Sequence, residues 1–371
     1  MKALADRDRR TPAASARYGR LGFTLFIGLA GSLLAAHLGL PAAPLIGSSV
    51  AVAGAALLKL TIDVPRRLRD LAFILIGCSL GSGLTRDALA QAGRWPLSLV
   101  ILAGAVIVMM LCCTLLLHKW FKMSIETASL ATSPGALAYA LALAAGGIGD
   151  ARTIIVIQSV RLLLITTLLP LLLGLLDAPP VTGIGAAAVS AMGYQELLAL
   201  FVPALAMGWL IARLRAPAAY LLAGLVVSGA AHFAGLIDGR PPADALFLGF
   251  TVTGTVIGAR FSTISRTDLR RLLGASGMVL LLSVAVGAGF AYGAAVLLSL
   301  PYGQVFVAFA PGGVEAMAVM ALALGYDPTY VAVHHLFRIF LLMALLPLIF
   351  GAARRRQQGN DHGAGESELR R

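Results

Sequence analysis

Twelve apolar stretches, parted by short polar turns, occupy the chain from residue 21 to residue 350. They fall at about 21–40, 42–60, 70–85, 97–118, 124–148 and 152–176, then at about 194–213, 217–237, 244–262, 274–299, 303–325 and 329–350. The runs 97–117 and 153–176 exceed the roughly 20 residues a helix needs to cross the hydrocarbon core of a bilayer. None shows the alternation of a membrane barrel strand, and backbone groups in lipid must pair within their own segment. The pattern predicts an all-α polytopic membrane protein.

The two sets of six are copies of one unit. Pro134, Gly135, Asp150, Arg161 and Pro170 recur as Pro311, Gly312, Asp327, Arg338 and Pro347, each 177 positions later. Five matches at one spacing, without a gap and in segments this apolar, point to duplication. Gly77 and Gly81 recur as Gly254 and Gly258 at the same spacing, and Pro41-Ala42-Ala43 recurs as Pro217-Ala218-Ala219 at 176. The expected organisation is a basic cytoplasmic tail over 1–20, a first membrane repeat over 21–176, a linker over 177–193, a second repeat over 194–352 and a polar tail over 353–371. The run 21–40 is too long for a signal-peptide core and is read as an uncleaved first helix.

Composition agrees with this class. Of 371 residues 59% are hydrophobic and 12% charged, with a mean hydropathy of +0.88, where a soluble domain carries about 25% charged residues. The net charge of +12 would suggest nucleic acid in a soluble chain. Here the basic residues sit in short loops beside apolar runs and none coincides with a recognition motif, so no direct nucleic-acid interface is expected. Cys78, Cys112 and Cys113 lie in or beside apolar runs without metal or disulfide spacing and read as packing residues.

Charge also sets the expected topology. If all twelve stretches crossed, Arg152, Arg213, Arg215, Arg266, Arg270 and Arg271 would lie outside, against the bias of cytoplasmic loops toward Lys and Arg. If 124–148 and 303–325, the stretches broken by Pro-Gly, instead enter and leave on one side, these residues and both termini become cytoplasmic. Only Arg86, Arg94 and Arg240 then stay outside. Five crossings is an odd number, so the expected architecture is two inverted repeats of about five crossing helices, each with one Pro-Gly-broken segment.

Inverted repeats with interrupted helices are characteristic of secondary transporters, whose sites lie near the midplane. Pro134 and Gly135, and Pro311, Gly312 and Gly313, supply the interruptions. Each starts a half-helix whose free N–H groups and positive dipole end favour an anion. Arg161 and Arg338 stand well inside apolar runs, where a charge faces a cavity or a partner. Glu315 has no acidic counterpart, the matching residue being Ala138. It either leaves an excess of positive charge for an anionic ligand or pairs with Arg338 as a structural ion pair. His334 and His335 point about 100° apart on a helix, a poor geometry for one metal. They read as hydrogen-bonded packing residues or as proton-coupling groups. No metal and no cofactor is expected. The glycine pairs Gly77/Gly81 and Gly254/Gly258 read as close helix-packing faces or as irregular backbone lining a cavity.

The duplicated Pro-Gly segment, the Asp turn and the intramembrane Arg resemble the Gram-negative AbrB-type membrane proteins with an internal duplication, some labelled "ammonia monooxygenase" and some regulators. The resemblance spans about residues 21–352. It implies a multi-pass protein of the bacterial inner membrane with a role in regulation of gene expression, and it implies no substrate. It does not extend to the small soluble DNA-binding fold of the same name. More distantly, the chain is similar to the cation/proton antiporter and anion transporter group built on inverted five-helix repeats, but it lacks that group's paired intramembrane aspartates. The oxygenase label finds no His, Asp, Glu or Cys cluster that would hold copper or iron. The expected function is secondary transport of a small anionic solute, not catalysis, with the lipid bilayer and that solute as partners and room for a homo-oligomer. The alternative is a membrane-embedded regulator that acts through a cytoplasmic partner or the solute pool.

Overall fold

The computed structural model describes residues 14–83, 93, 95–135, 137–176, 191–214 and 216–347. The tail 353–371, most of the linker and of the tail 1–20, and Arg86, Arg94 and Arg215 lie outside the described residues. Among the described residues the regular structure is helical, apart from one isolated bridge between Ala191 and Arg240.

The first copy comprises α1 (Ala14–His37), α2 (Ala43–Leu57), α3 (Arg66–Gly81), α4 (Trp95–Phe121), α5 (Ile125–Thr132), α6 (Leu137–Ala145) and α7 (Ala151–Leu176). The second comprises α8 (Tyr194–Arg213), α9 (Ala219–Phe233), α10 (Ala243–Ala259), α11 (Arg266–Leu298), α12 (Tyr302–Phe309), α13 (Val314–Ala323) and α14 (Pro328–Pro347). A short 3-10 turn, Arg260–Thr263, follows α10. The 177-residue spacing is written into the boundaries. It relates the starts of α3 and α10, both ends of α5 and α12, and the starts of α7 and α14. The turns repeat too, with left-handed backbone at Ala42 and Ala218 and at Lys122 and Ser299.

Among the described residues seven helices are long and apolar enough to cross a bilayer: Tyr18–His37, Trp95–Phe121, Ala151–Gly174, Tyr194–Arg213, Ala243–Thr263, Arg266–Leu298 and Pro328–Pro347. The stretches 42–60 and 217–237 are shorter as helices than as apolar runs. The left-handed residues Ala42 and Ala218 delay the starts of α2 and α9, and Lys59 and Gly235, also left-handed, end them. Fifteen residues span about 22 Å at 1.5 Å per residue, so both helices lean on neighbours. At the other end of the first copy, α1 begins at Ala14, inside the stretch read as tail.

The helices sort into two groups. One gathers α1, α2 and α10 with α8, α9 and α3; the other gathers α4 to α7 with α11 to α13 and, through His334 and His335, α14, while α13 also reaches α2, α3 and α10. In the first group the copies exchange partners, because α3 packs on α9 and α10 packs on α2. Here the glycine pairs act as packing faces. A Cβ on Gly81 would come within 2.6 Å of the Gly229 nitrogen and the Leu225 carbonyl oxygen, and one on Gly258 within 2.6 Å of the Ser49 carbonyl oxygen. Without lipid-excluded hydrophobic drive, such close backbone approach is how membrane helices gain packing energy. Contacts advance in step along each pair: Gly77 meets Leu221 and Gly224, and Gly81 meets Leu225 and Gly229. Likewise Gly254 meets Leu45 and Ser49, and Gly258 meets Ser49 and Ala53. Both pairs therefore run parallel. The outer faces of α1 and α8 expose Phe26, Leu33, Val202 and Trp209, as suits contact with lipid.

Gly258→Leu should force α10 off α2 and lower the thermal stability of detergent-purified protein by about 1–3 kcal/mol, the usual penalty of overpacking. Gly54→Ala, at a position with nothing within 4 Å of a new Cβ, should leave the unfolding temperature unchanged. Equal effects would remove the glycine contact from the packing account.

Candidate functional site

Each broken stretch is a helical hairpin. Proline lacks an N–H and pushes the residue before it out of the helical region, so α5 stops at Ser133 (ψ 114°) and α12 at Ala310 (ψ 144°). Gly135 takes the left-handed φ of 80° that a glycine adopts without strain. The chain then returns as α6 and α13. The Asp150 N–H donates to the Thr127 hydroxyl at 3.0 Å, so the first turn of α5 lies beside the start of α7. At the matching positions the Asp327 N–H donates to Gln304 Oε1 at 3.2 Å. Each hairpin thus comes back to the end from which it set out.

A helix that ends inside the protein strands its last carbonyl groups. The intramembrane arginines meet them. Arg161 donates from Nη1 to the Thr132 carbonyl at 2.8 Å and from Nη2 to the Ser133 carbonyl at 3.1 Å. Arg338 donates from Nη1 to the Ala310 carbonyl at 2.6 Å and from Nη2 to the Gly312 carbonyl. Three residues earlier on each helix the pattern repeats: Gln158 Nε2 donates to the Leu130 carbonyl at 2.7 Å and His335 Nε2 to the Val307 carbonyl at 3.0 Å. Gln158 and His335 are unlike residues doing one job in the two copies. The cation at a helix C-terminus also opposes the negative end of the dipole.

Asp150 and Asp327 sit at the starts of α7 and α14. Asp150 accepts from the Thr153 hydroxyl at 2.5 Å and from the Arg152 and Thr153 N–H groups at 3.2 Å. The Thr153 hydroxyl foremost holds its carboxyl below the usual value. Asp327 accepts from the N–H groups of Thr329 at 2.9 Å and Tyr330 at 3.2 Å. Burial nevertheless pushes its carboxyl up, against the pull of those two bonds. The equivalent acids are thus tuned in opposite directions.

The hairpin tips meet. A Cβ on Gly135 would stand 3.1 Å from both Arg338 Nη2 and the Gly312 carbonyl oxygen. Arg161 and Arg338 are 2% and 1% exposed. The half-helix N-termini are expected to favour an anion; the guanidinium groups instead face the carbonyls at the ends of α5 and α12 and, for Arg338, the Gly312 carbonyl in the break. The expected alternative, an Arg338–Glu315 ion pair, does not form: among the described residues the one ion pair joins Arg69 to Asp70. Glu315 is half-buried in the first turn of α13. Its Oε2 lies 3.5 Å from where a Gly313 Cβ would be, near the positive end of that helix. Arg338 Nε is buried without a hydrogen-bond partner. His335 accepts from Arg338 Nη2 through Nδ1 at 2.7 Å, whereas His334 meets Ser98 of α4. The caps Gln158, Thr127 and Gln304 were missed by sequence reasoning. The 177-residue spacing could have found them, since each is paired with a polar residue in the other copy.

The sequence profile of the family described as "Transition state regulatory protein AbrB" matches residues 44–354. The chain is 24% identical over 319 residues to the "Putative regulator AbrB" of Escherichia coli (strain K12), covering 85% of this chain and 90% of that protein. It is 23% identical over 305 residues to the "Uncharacterized protein YhjN" of Bacillus subtilis (strain 168), covering 76% and 78%.

Arg161→Gln and Arg338→Gln should each strand buried carbonyl groups, at about 1–3 kcal/mol per group. Both should lower folded yield, and Glu315→Gln should not restore Arg338→Gln in a double-mutant cycle. A near-silent Arg161→Gln together with rescue by Glu315→Gln would reinstate the ion pair.

Proposed function

The chain belongs to the family described as transition state regulatory protein AbrB, and we propose that it is a secondary transporter of a small anionic solute, built from inverted repeats in a bacterial inner membrane. Support for inversion comes from helix direction. Successive crossing helices within a copy alternate in direction. A parallel match between the third helix of one copy and the second of the other, made twice as α3 with α9 and α10 with α2, is what oppositely inserted copies would give. Two same-side hairpins leave five crossings per copy, in keeping with the charge of the loops.

One observation carries the transport reading: two buried guanidinium groups meet where the hairpin tips meet, and neither is paired with a carboxylate among the described residues. The four half-helix ends, worth about half a charge each, cancel, and Glu315 interacts with Arg260 at the end of α10. The positive charge of the two tip arginines is left for a ligand. Arg338 Nε, the unmet donor of the group, lies 3.8 Å from where a Gly135 Cβ would be. A small carboxylate or phosphate fits that planar donor. Interrupted helices at such a crossing are the usual setting for a transported solute, and the protein acts as a carrier, not an enzyme. A regulatory effect, which the family's description names, follows from a changed solute pool.

Two measurements check this. Single cysteines probed with an impermeant reagent should place 266–271 inside and the Arg240 loop outside; labelling of 266–271 from the periplasm would sink the inverted arrangement. Proteoliposomes challenged with a panel of small carboxylates and phosphates should take up at least one, with Arg338→Lys losing most of the uptake while still folding. If none moves while a cytoplasmic protein co-purifies stoichiometrically, the family's regulatory role is direct and the transport reading fails.

A further inference from the structure

His334 and His335 are neighbours in sequence and opposite in chemistry. His335 is locked. Its Nε2–H donates to the Val307 carbonyl, and its Nδ1 must accept, because the partner is the Arg338 guanidinium. A second proton on that ring would set N–H against N–H. His334 is arranged differently. Its Nδ1–H donates to the Tyr330 carbonyl at 2.7 Å, and its Nε2 lies 2.7 Å from Ser98 Oγ. Ser98 Oγ also lies 2.9 Å from the Trp95 carbonyl. The serine hydroxyl can therefore point two ways. With His334 neutral it donates to Nε2. With His334 protonated it accepts from Nε2–H and donates to the Trp95 carbonyl. Both protonation states are fully hydrogen-bonded without any heavy atom moving.

The Tyr330 ring centroid is 3.9 Å away, a face that attracts an imidazolium and offsets part of the cost of charging a buried ring; Phe309 stacks at 6.2 Å. On its own helix, the charged and titratable groups around His334 are Asp327, Tyr330, His335 and Arg338. From the packed elements, α4 brings Trp95 and Ser98, α12 brings Phe309, and α3 brings the Leu80 carbonyl beside Thr329; none of these carries a charge. Asp327, half-buried at the start of α14, Tyr330, whose buried hydroxyl lies beside Ser98, His334 and Arg338 form one row from the helix start to the tip crossing. The helix α7 has no such row: Thr153 and Ile157 stand where α14 has Tyr330 and His334, and Ala275 of α11 stands where α4 has Ser98.

We propose that His334 is a proton-binding site switched by Ser98 and reached from the Asp327 end of α14, and that His335 serves only to hold Arg338 and Val307. Protonation adds positive charge one turn from Arg338, so anion and proton bind with mutual support. This last step rests on the transport reading above; the proton site itself does not.

The test is nitrogen NMR of the full chain in lipid nanodiscs with 15N-labelled histidine, titrated around the ordinary imidazole value of about 6.5 and followed down to the acid limit of folding. One Nε2 should pass from bare nitrogen to N–H on acidification, and that transition should be absent in His334→Gln. In Ser98→Ala it should move to lower pH, since the charged ring loses its acceptor. The His335 signals, assigned by His335→Gln, should keep Nε2–H throughout. A His334 ring that stays unprotonated over the whole folded range, or a transition unmoved by Ser98→Ala, overturns the proposal. Should His334→Gln fail to fold, the Ser98→Ala displacement alone decides. No solute is present in this measurement, so a protein that moves no anion would remove the transport reading and leave the proton site standing.

Discussion

The structure depends on how two helices can end in the middle of a protein. A proline stops α5 and α12 about 12 Å from their starts, judged from eight residues each at 1.5 Å rise, and leaves carbonyl groups with no water to receive them. Arg161 and Arg338 supply those donors from the neighbouring long helices. That single arrangement fixes the depth of both arginines and the register of α5 against α7 and of α12 against α14. It also fixes the place where the hairpin tips touch. It brings two positive charges into a water-poor centre as well, a requirement of the fold from which the proposed ligand chemistry follows.

Around that centre the copies are interlocked. The first group of helices is held by exchanged pairs, α3 on α9 and α10 on α2, through glycine faces that admit backbone-to-backbone contact. The second group holds the hairpins and the long helices α4, α7, α11 and α14. The symmetry is structural, while the chemistry is lopsided. Gln158 and His335 do the same capping, yet only the second copy carries Tyr330 and His334 on its helix, with Ser98 of the first copy's α4 against them. Asp150 and Asp327 are likewise pushed opposite ways, the first by its hydrogen bonds and the second by burial. Duplication gave the scaffold, and divergence within it gave the two copies different polar groups.

Much of this was legible in the residues. The Pro-Gly breaks, the arginines and the aspartate turns carry the 177-residue spacing openly, and Gly77, Gly81, Gly254 and Gly258 announce close packing by their size. Other parts were hidden for definite reasons. A guanidinium serves an anion at a helix N-terminus or carbonyls at a C-terminus equally well, and sequence spacing does not say which end it reaches. The short lengths of α2 and α9 follow from left-handed backbone at Ala42, Lys59 and Ala218, residues that carry no glycine-like signal. The common task of Gln158 and His335 is masked because an amide and an imidazole look unrelated until both are seen donating to Leu130 and Val307.

The meeting of the two hairpin tips is the central claim, since the charge, the proposed ligand site and the role of both arginines hang on it. Cross-linking with a short bifunctional thiol reagent, using cysteines at Gly135 and Gly313 in a chain whose Cys78, Cys112 and Cys113 are replaced, measures it directly. Efficient intramolecular linkage in native membranes, absent when the second cysteine is moved to Gly325, is the predicted result. Two cysteines that each react singly with the reagent yet never link would contradict the account.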